Sequence, residues 1–336
     1  MTRLVQLQRG AERCVALVDE PRLRLLDGAS SMYKLAHDAI DAGVALAALV
    51  HGRVSSRDVD YEAVYAGRAD WRLLPPIDHP DEPARCLVSG TGLTHLGSAA
   101  KRDAMHVGGT SSDKPLTDSM RMFQSGLAHG RPPAGEIGVA PEWFYKGNGT
   151  VLRAHGEPLL RPRHAEDGGE EAEIAGLYVV APDGTPRRVG MALGNEFSDH
   201  RFEQRNYLNL AGSKLRTCAL GPELVVDPAF DAVAGTVTIE RDGAAVWTRP
   251  ITTGEAEMCH SLANLEHHHF KHDAHRRPGD VHVHYFGACQ LSFGDGVSLA
   301  DGDVMHITFD GFGRPLRNPL RVDPAPDTLV TVHALS

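Results

Sequence analysis

The sequence predicts an α+β protein, and three stretches carry that expectation. Residues 174–180 form a short apolar run that is β-branched and aromatic, which reads as a strand. Residues 236–247, Thr-Val-Thr-Ile-Glu-Arg-Asp-Gly-Ala-Ala-Val-Trp, read as a hairpin turning at Asp242-Gly243. Between 31 and 51, Tyr33, Ala36, Ile40, Val44, Ala47 and Val50 recur three or four apart, the spacing of a helix.

Composition narrows the function. The chain has 336 residues, 42% hydrophobic and 23% charged, ordinary for a globular protein with a substantial core. No apolar run approaches the ~18–20 residues of a membrane span. The first residues alternate like a strand and lack the long apolar stretch of a signal peptide, so a cytoplasmic protein with no membrane partner is expected. A net charge of −10 argues against nucleic acid as a partner. Cys14, Cys86, Cys218, Cys259 and Cys289 are scattered without C-x-x-C spacing, which suits buried thiols in a reducing compartment.

Taken in order, residues 1–80 read as a small N-terminal α/β domain. Strands are expected at 4–7, 14–18 and 23–26, then the helix at 31–51 and a second short helix starting at 59–62. The Pro-rich segment Asp78-His-Pro-Asp-Glu-Pro83 places the boundary near 80 and leaves 81–336 as the second domain. Residues 86–89 read as a strand running into the glycine-rich stretch Gly90-Thr91-Gly92, a loop type that brings backbone N–H groups to a carboxylate. His95 follows it; one histidine carries little signal, and a polar loop residue is an equal reading. Residues 97–136, rich in Gly, Ser and Asp, form a candidate lid with a short helix at 119–129.

A helix is expected at 255–271, with Met258, Leu262, Leu265 and Phe270 inside. Its histidines at 267–269, with His272 and His275, lack an H-E-x-x-H pattern and read as cations suited to a helix C-terminus rather than as zinc ligands. His282 and His284 fall in the next strand, in structural or pocket-lining roles.

The chemistry concentrates at Glu171-Ala172-Glu173. Residues two apart on a strand share a face, so the two carboxylates point the same way. Such a pair repels unless a proton or a cation lies between them. Asp183-Gly184 marks a turn, and a strand at 189–193 then brings Glu196 back beside the pair if the two strands are antiparallel. Three carboxylates with open positions would suit Mg²⁺, or Mn²⁺. The alternative is a solvated acidic strand end.

The order of further motifs resembles the fumarylacetoacetate hydrolase superfamily. Its pattern is Glu-x-Glu, then Asn-Asp-x-Ser-x-Arg-Asp, Gly-x-Lys and Gly-Pro; here stand Glu171-Ala172-Glu173, Asn195-Glu196-Phe197-Ser198, Gly212-Ser213-Lys214 and Gly221-Pro222. Gly279-Asp280-Val281, Gly302-Asp303-Val304 and Gly313-Arg314-Pro315-Leu316-Arg317-Asn318 resemble its closing strands, so the likeness covers roughly 85–322. Glu196 replaces the usual Asp, His200 the usual Arg and Glu203 the usual Gln. The variant Gly194-Asn-Glu-Phe-Ser-Asp-His200 is similar to the sugar-acid branch, which includes 2-keto-3-deoxypentonate dehydratases.

The resemblance implies a mostly β architecture, a mixed β-roll with flanking helices, in a homodimer. It implies a 2-keto acid substrate that chelates Mg²⁺ on Glu171, Glu173 and Glu196. Lys214 becomes the candidate base, because a lysine held near a cation and away from water has its pKa lowered. His95, or a water on the metal, becomes the acid. Gly90, Thr91, Tyr145, Lys146, Ser198, His200 and Gln290 become candidate substrate contacts. Hydrolytic members carry Glu three places after the histidine, where this chain has Ser98. That difference favours a dehydratase giving 2-oxoglutarate semialdehyde over a C–C hydrolase of a 2,4-diketo acid. A non-catalytic sugar-acid-binding protein is the reading from another class.

Overall fold

The computed structural model describes residues 1–97, 99–100 and 116–335. Two sheets organise them. In the larger, ten strands lie side by side in the order Val54–Asp60, Arg22–Leu26, Glu12–Asp19, Thr2–Arg9, Cys218–Val226, Pro186–Asn195, Ala172–Val180, Val281–Tyr285, Cys86–Gly92 and Glu142–Asn148. Neighbours run antiparallel, except that Val281–Tyr285 and Cys86–Gly92 are parallel. The smaller sheet orders Ala244–Thr253, Val233–Arg241, Val304–Phe309, Leu316–Val322 and Leu159–Arg161.

Ala172–Val180 is buried along its whole length. A strand covered on both faces reads as an unbroken apolar run, which is why its sequence shows no polar alternation. Ala175, Leu177 and Val179 pack with Leu4, Met32 and Leu35 on one face. Ile174, on the other, packs with Val237, Ile307 and Phe309 of the smaller sheet. Glu171 and Glu173 continue the alternation of Ala175, so they open onto the face that carries residues from the N-terminal segment.

Most expected elements are present, and their differences have local causes. The helix expected at 31–51 is two helices, Met32–Ala42 and Leu46–Gly52. Gly43 divides them in a left-handed conformation (φ 64°) while its N–H bonds to the Ala39 and Ile40 carbonyls, a glycine C-cap. Residues 54–60 are a strand, and Asp60 caps the short helix Tyr61–Tyr65 by accepting from Ala63 N. Asp242 and Gly243 both take positive φ (52° and 78°), as a two-residue hairpin turn requires. The helix expected at 255–271 is only Leu262–Phe270. Ser261 caps it, and the Glu255 carboxylate accepts from Leu262 N at 2.8 Å, which folds the preceding residues into a turn.

Asp118–His129 is helical as expected, capped by Thr117. The rest of the candidate lid includes residues 98 and 101–115, which lie outside the described residues. Residues 1–80 extend the larger sheet through Thr2↔Val226 and Leu4↔Leu224. None of the five cysteines is in a disulfide among the described residues, and four are buried. Among the described residues no helix is long and apolar enough to cross a membrane.

Candidate metal centre

Antiparallel pairing of Ala172–Val180 with Pro186–Asn195 sets Ala172 opposite Asn195 and Glu173 opposite Gly194. One residue beyond the ladder, Glu196 N donates to Glu171 O at 2.9 Å. The register therefore returns Glu196 to the Glu171–Glu173 pair. Each of the three buried carboxylates offers an oxygen, and these atoms lie within 4.8 Å of one another. The solvated alternative is excluded, since Glu171, Glu173 and Glu196 are 5%, 1% and 0% exposed. Oxygen donors of this number and closeness fit a hard divalent cation.

Two lysines are folded into the same site. Lys214, at the end of the short helix Leu210–Lys214, bonds to Glu171 Oε1, to Glu196 Oε2 at 2.6 Å and to Ser198 Oγ at 3.1 Å. Its Nζ lies 4.8 Å from the centre of the Phe144 ring. Lys146 reaches in from Glu142–Asn148 and donates to Glu196 Oε1 at 2.5 Å and to the carbonyls of Phe197 (2.7 Å) and Glu196 (3.3 Å). Ser198 Oγ donates to Glu196 O at 2.8 Å. Glu173 is placed differently: its Oε2 accepts from Gly287 N at 2.6 Å.

This asymmetry sets the charges. Burial pushes the Glu171 carboxyl up, but the Lys214 charge and the bond to His200 outweigh it and hold it well below the usual range. Glu173 is driven well above, by burial first and then by the Glu196 and Glu171 charges. Glu196 is raised by burial, opposed by Lys146 and Lys214. His200 Nε2 lies 3.1 Å from Glu171 Oε1. Burial disfavours its imidazolium, yet the Glu171 bond and charge prevail and raise it. Burial and its carboxylate neighbours thus drive Glu173 toward its neutral form, while Lys214 and His200 favour the ionised form of Glu171.

The remaining expected site residues divide. Ser198, His200, Lys146 and Lys214 join the carboxylates. Lys146, expected against the substrate, instead fixes Glu196. Gly90 leaves room for an aromatic ring: a Cβ there would sit 2.6 Å from Phe144 ring carbons. Thr91 Oγ1 meets His284 Nε2 at 2.8 Å. His284 alternates with Tyr285, which packs in the Ala175 cluster, so Thr91 turns to the opposite face from Glu173. Tyr145 is 41% exposed and flanked by the buried Phe144 and Lys146, so its ring also points away from the carboxylates. His95 is buried, with its ring nitrogens near Thr94 Oγ1 (2.8 Å) and Thr253 Oγ1 (3.1 Å). Burial lowers it to about 4, so it is neutral near pH 7. Gln290 lines a small cavity with His95, Leu96 and Cys289.

Two features were missed in the sequence. Glu170 is fully buried and accepts from Ser292 N and Oγ, both at 2.7 Å. Arg216, buried beside the site, pairs with Asp199 at 3.1 Å and donates to Asp167 O. Neither partnership has a local signal, because the partners stand 17 to 122 positions apart.

The histidines at the end of Leu262–Phe270 require a correction. His269 is 1% exposed, and burial with His284 and His282 beside it holds it well below the usual range. It is a neutral core residue, with Nε2 2.9 Å from His282 Nδ1, and not a cation on the helix dipole.

No family model matches this chain, and no curated protein does. Solved structures do. "2-keto-3-deoxy-D-arabinonate dehydratase apo form" superposes with a TM-score of 0.69 at 18% identity, covering 96% of this chain and 100% of that one. The same enzyme "complexed with magnesium and 2,5-dioxopentanoate" gives 0.69 and 18%, covering 96% and 99%. The 2-hydroxyhepta-2,4-diene-1,7-dioate isomerase from Mycobacterium marinum gives 0.59 and 15%, covering 97% and 100%. The chain has the fold of these enzymes over nearly its whole length.

Proposed function

We propose that the chain is a Mg²⁺-dependent dehydratase of a 2-keto-3-deoxy sugar acid, a pentonate, giving 2-oxoglutarate semialdehyde. The observation that carries this reading is the buried triad Glu171, Glu173 and Glu196 with the Lys214 ammonium set among its oxygens. Support comes from the fold-mate bound to magnesium and 2,5-dioxopentanoate, the same compound as the proposed product.

When bound, Mg²⁺ supplies Lewis-acid polarisation of the 2-keto group. The chain supplies the rest. Glu171, Glu173 and Glu196 hold the ion. Lys146 fixes Glu196 through three acceptors. Lys214 removes the C3 proton as general base. The electrons form the C3–C4 double bond as the C4 hydroxyl departs. His95 is neutral near pH 7 and carries no surplus proton to give. Lys214, protonated by the first step, is the group that returns a proton to the leaving hydroxyl. Water is released; transfer of a C5 proton to C3 then moves the double bond to C4–C5, and that enol, protonated at C4 as its hydroxyl proton leaves, becomes the semialdehyde. His200 and Ser198 border this centre as substrate contacts.

The test is incubation with Mg²⁺ and a panel of 2-keto-3-deoxy and 2,4-diketo acids, read by mass. Loss of one water from a 2-keto-3-deoxypentonate is expected, abolished by EDTA, by Glu173→Ala and by Lys214→Met. Pyruvate from a 2,4-diketo acid, with the pentonates of both C4 configurations untouched, would establish C–C hydrolysis instead. A ligand-dependent rise in melting temperature with no product would establish a binding protein.

A further inference from the structure

We infer that Lys214 is the metal centre's own cation: its ammonium occupies the ion's position in the metal-free chain, and metal binding must displace it. This rests on the metal reading above.

The argument begins with what each lysine touches. Lys146 has one carboxylate oxygen and two backbone carbonyls, those of Glu196 and Phe197. A cation entering among the carboxylates leaves those carbonyls in place, so Lys146 keeps its anchor. Lys214 donates to three side-chain oxygens, Glu171 Oε1, Glu196 Oε2 and the Ser198 hydroxyl. Two of the three are oxygens of proposed ligands. The third ligand, Glu173, draws its hydrogen bond from Gly287 N.

An ammonium bonded to Glu171 Oε1 and Glu196 Oε2 competes with a divalent ion for the same two carboxylates, each of which offers an oxygen within 4.8 Å of one from Glu173. Like charges at that separation repel, and Glu171 Oε1 and Glu196 Oε2 already accept from Nζ. Entry of the ion therefore breaks the two Lys214 ion pairs. The Phe144 face, 4.8 Å from Nζ, gives the departing ammonium a place to lie. The metal-free site is thereby kept paired and folded, and the proposed base is locked among carboxylates until the ion arrives. Metal loading and release of the base become one event. Removing Lys214 then alters metal affinity as well as turnover, because the residue competes with the ion.

Titration of the metal-free full-length chain with Mn²⁺, followed by calorimetry and by the Mn²⁺ electron paramagnetic signal, tests this without turnover. Lys214→Met is expected to bind Mn²⁺ about tenfold tighter than the unaltered chain, or more, because one competing charge is gone. Its melting temperature should also rise more on Mn²⁺ addition. Lys146→Met should bind no tighter, since it loosens Glu196. Equal tightening in both variants would reduce the effect to net charge and overturn the inference, as would unchanged or weaker binding in a folded Lys214→Met. Absence of Mn²⁺ binding in the unaltered chain and in Lys214→Met would instead overturn the metal reading itself. Should Lys214→Met not fold, crystals of the unaltered chain grown in EDTA and in Mn²⁺ decide. Nζ must leave the two carboxylate oxygens that hold the ion; Nζ still bonded to both beside bound Mn²⁺ would sink the idea.

Discussion

Glu171 and Glu173 stand two positions apart and share a strand face, yet their surroundings shift the two carboxyls in opposite directions, Glu171 down and Glu173 up. Lys214 and His200 satisfy Glu171, while Glu173 has a backbone N–H and two carboxylate neighbours. Substitution by glutamine should separate them. Glu173→Gln supplies an isosteric neutral amide, the charge toward which burial drives Glu173, and still accepts from Gly287 N, so stability in EDTA should change by less than about 1 kcal/mol. Glu171→Gln removes a charge from a buried pair and should cost about 3–5 kcal/mol. Urea denaturation in EDTA measures both, and equal losses would contradict the assigned charges. At this scale the sequence was partly legible. The Glu-x-Glu spacing and the return of Glu196 follow from strand period and register alone. The roles of Lys146, Glu170 and Arg216 do not, because each is set by a partner far along the chain.

At the scale of one element, Leu262–Phe270 shows why local rules fail when burial intervenes. Histidines in a last helical turn read as cations, but His269 faces Ser89, Trp143, His275, His282 and His284 in the interior. Burial pushes His282 and His284 down to about 3, with further lowering from neighbouring imidazoles. All three folded-state values lie below the unfolded value near 6.5. Their contribution to stability is complete above about pH 6.5 and is lost as pH falls toward the folded values, because the unfolded chain takes up protons first. Each group then removes about 1.4 kcal/mol per pH unit over that window. Denaturation midpoints at pH 7.5 and 5.5 should show this fall, and His282→Gln should make it shallower. A slope unchanged by that substitution would place the acid sensitivity elsewhere. The helix itself was legible from its apolar spacing, whereas its start was hidden by Glu255, whose side chain closes the turn before it.

Across the whole molecule, the Pro-rich segment before residue 84 marks a change along the chain, yet the core does not divide there. Thr2–Arg9 pairs with Cys218–Val226 inside the larger sheet, and Leu4, Met32 and Leu35 share one apolar cluster with Leu177, Leu220 and Val283. A second tie crosses the same boundary. Glu223, buried on Cys218–Val226, accepts from Tyr61 Oη at 2.8 Å and from Arg314 N at 3.0 Å, and pairs with Arg3 at 3.1 Å. Arg314 in turn reaches Glu20 and Glu62. Removing residues 1–80 would uncover the Cys218–Val226 edge, expose the apolar face beneath Met32 and Leu35, and strip Glu223 of Arg3 and Tyr61. An unpaired edge beside exposed apolar surface is a template for aggregation. The fragment 81–336 should therefore be insoluble or associate on size exclusion, while Tyr61→Phe in the full chain, which deletes one buried hydrogen bond, should fold at a cost of about 1–2 kcal/mol. A monomeric 81–336 fragment with a cooperative melt would show that the second domain stands alone, and that the shared sheet is a docking surface between two independent units rather than one core.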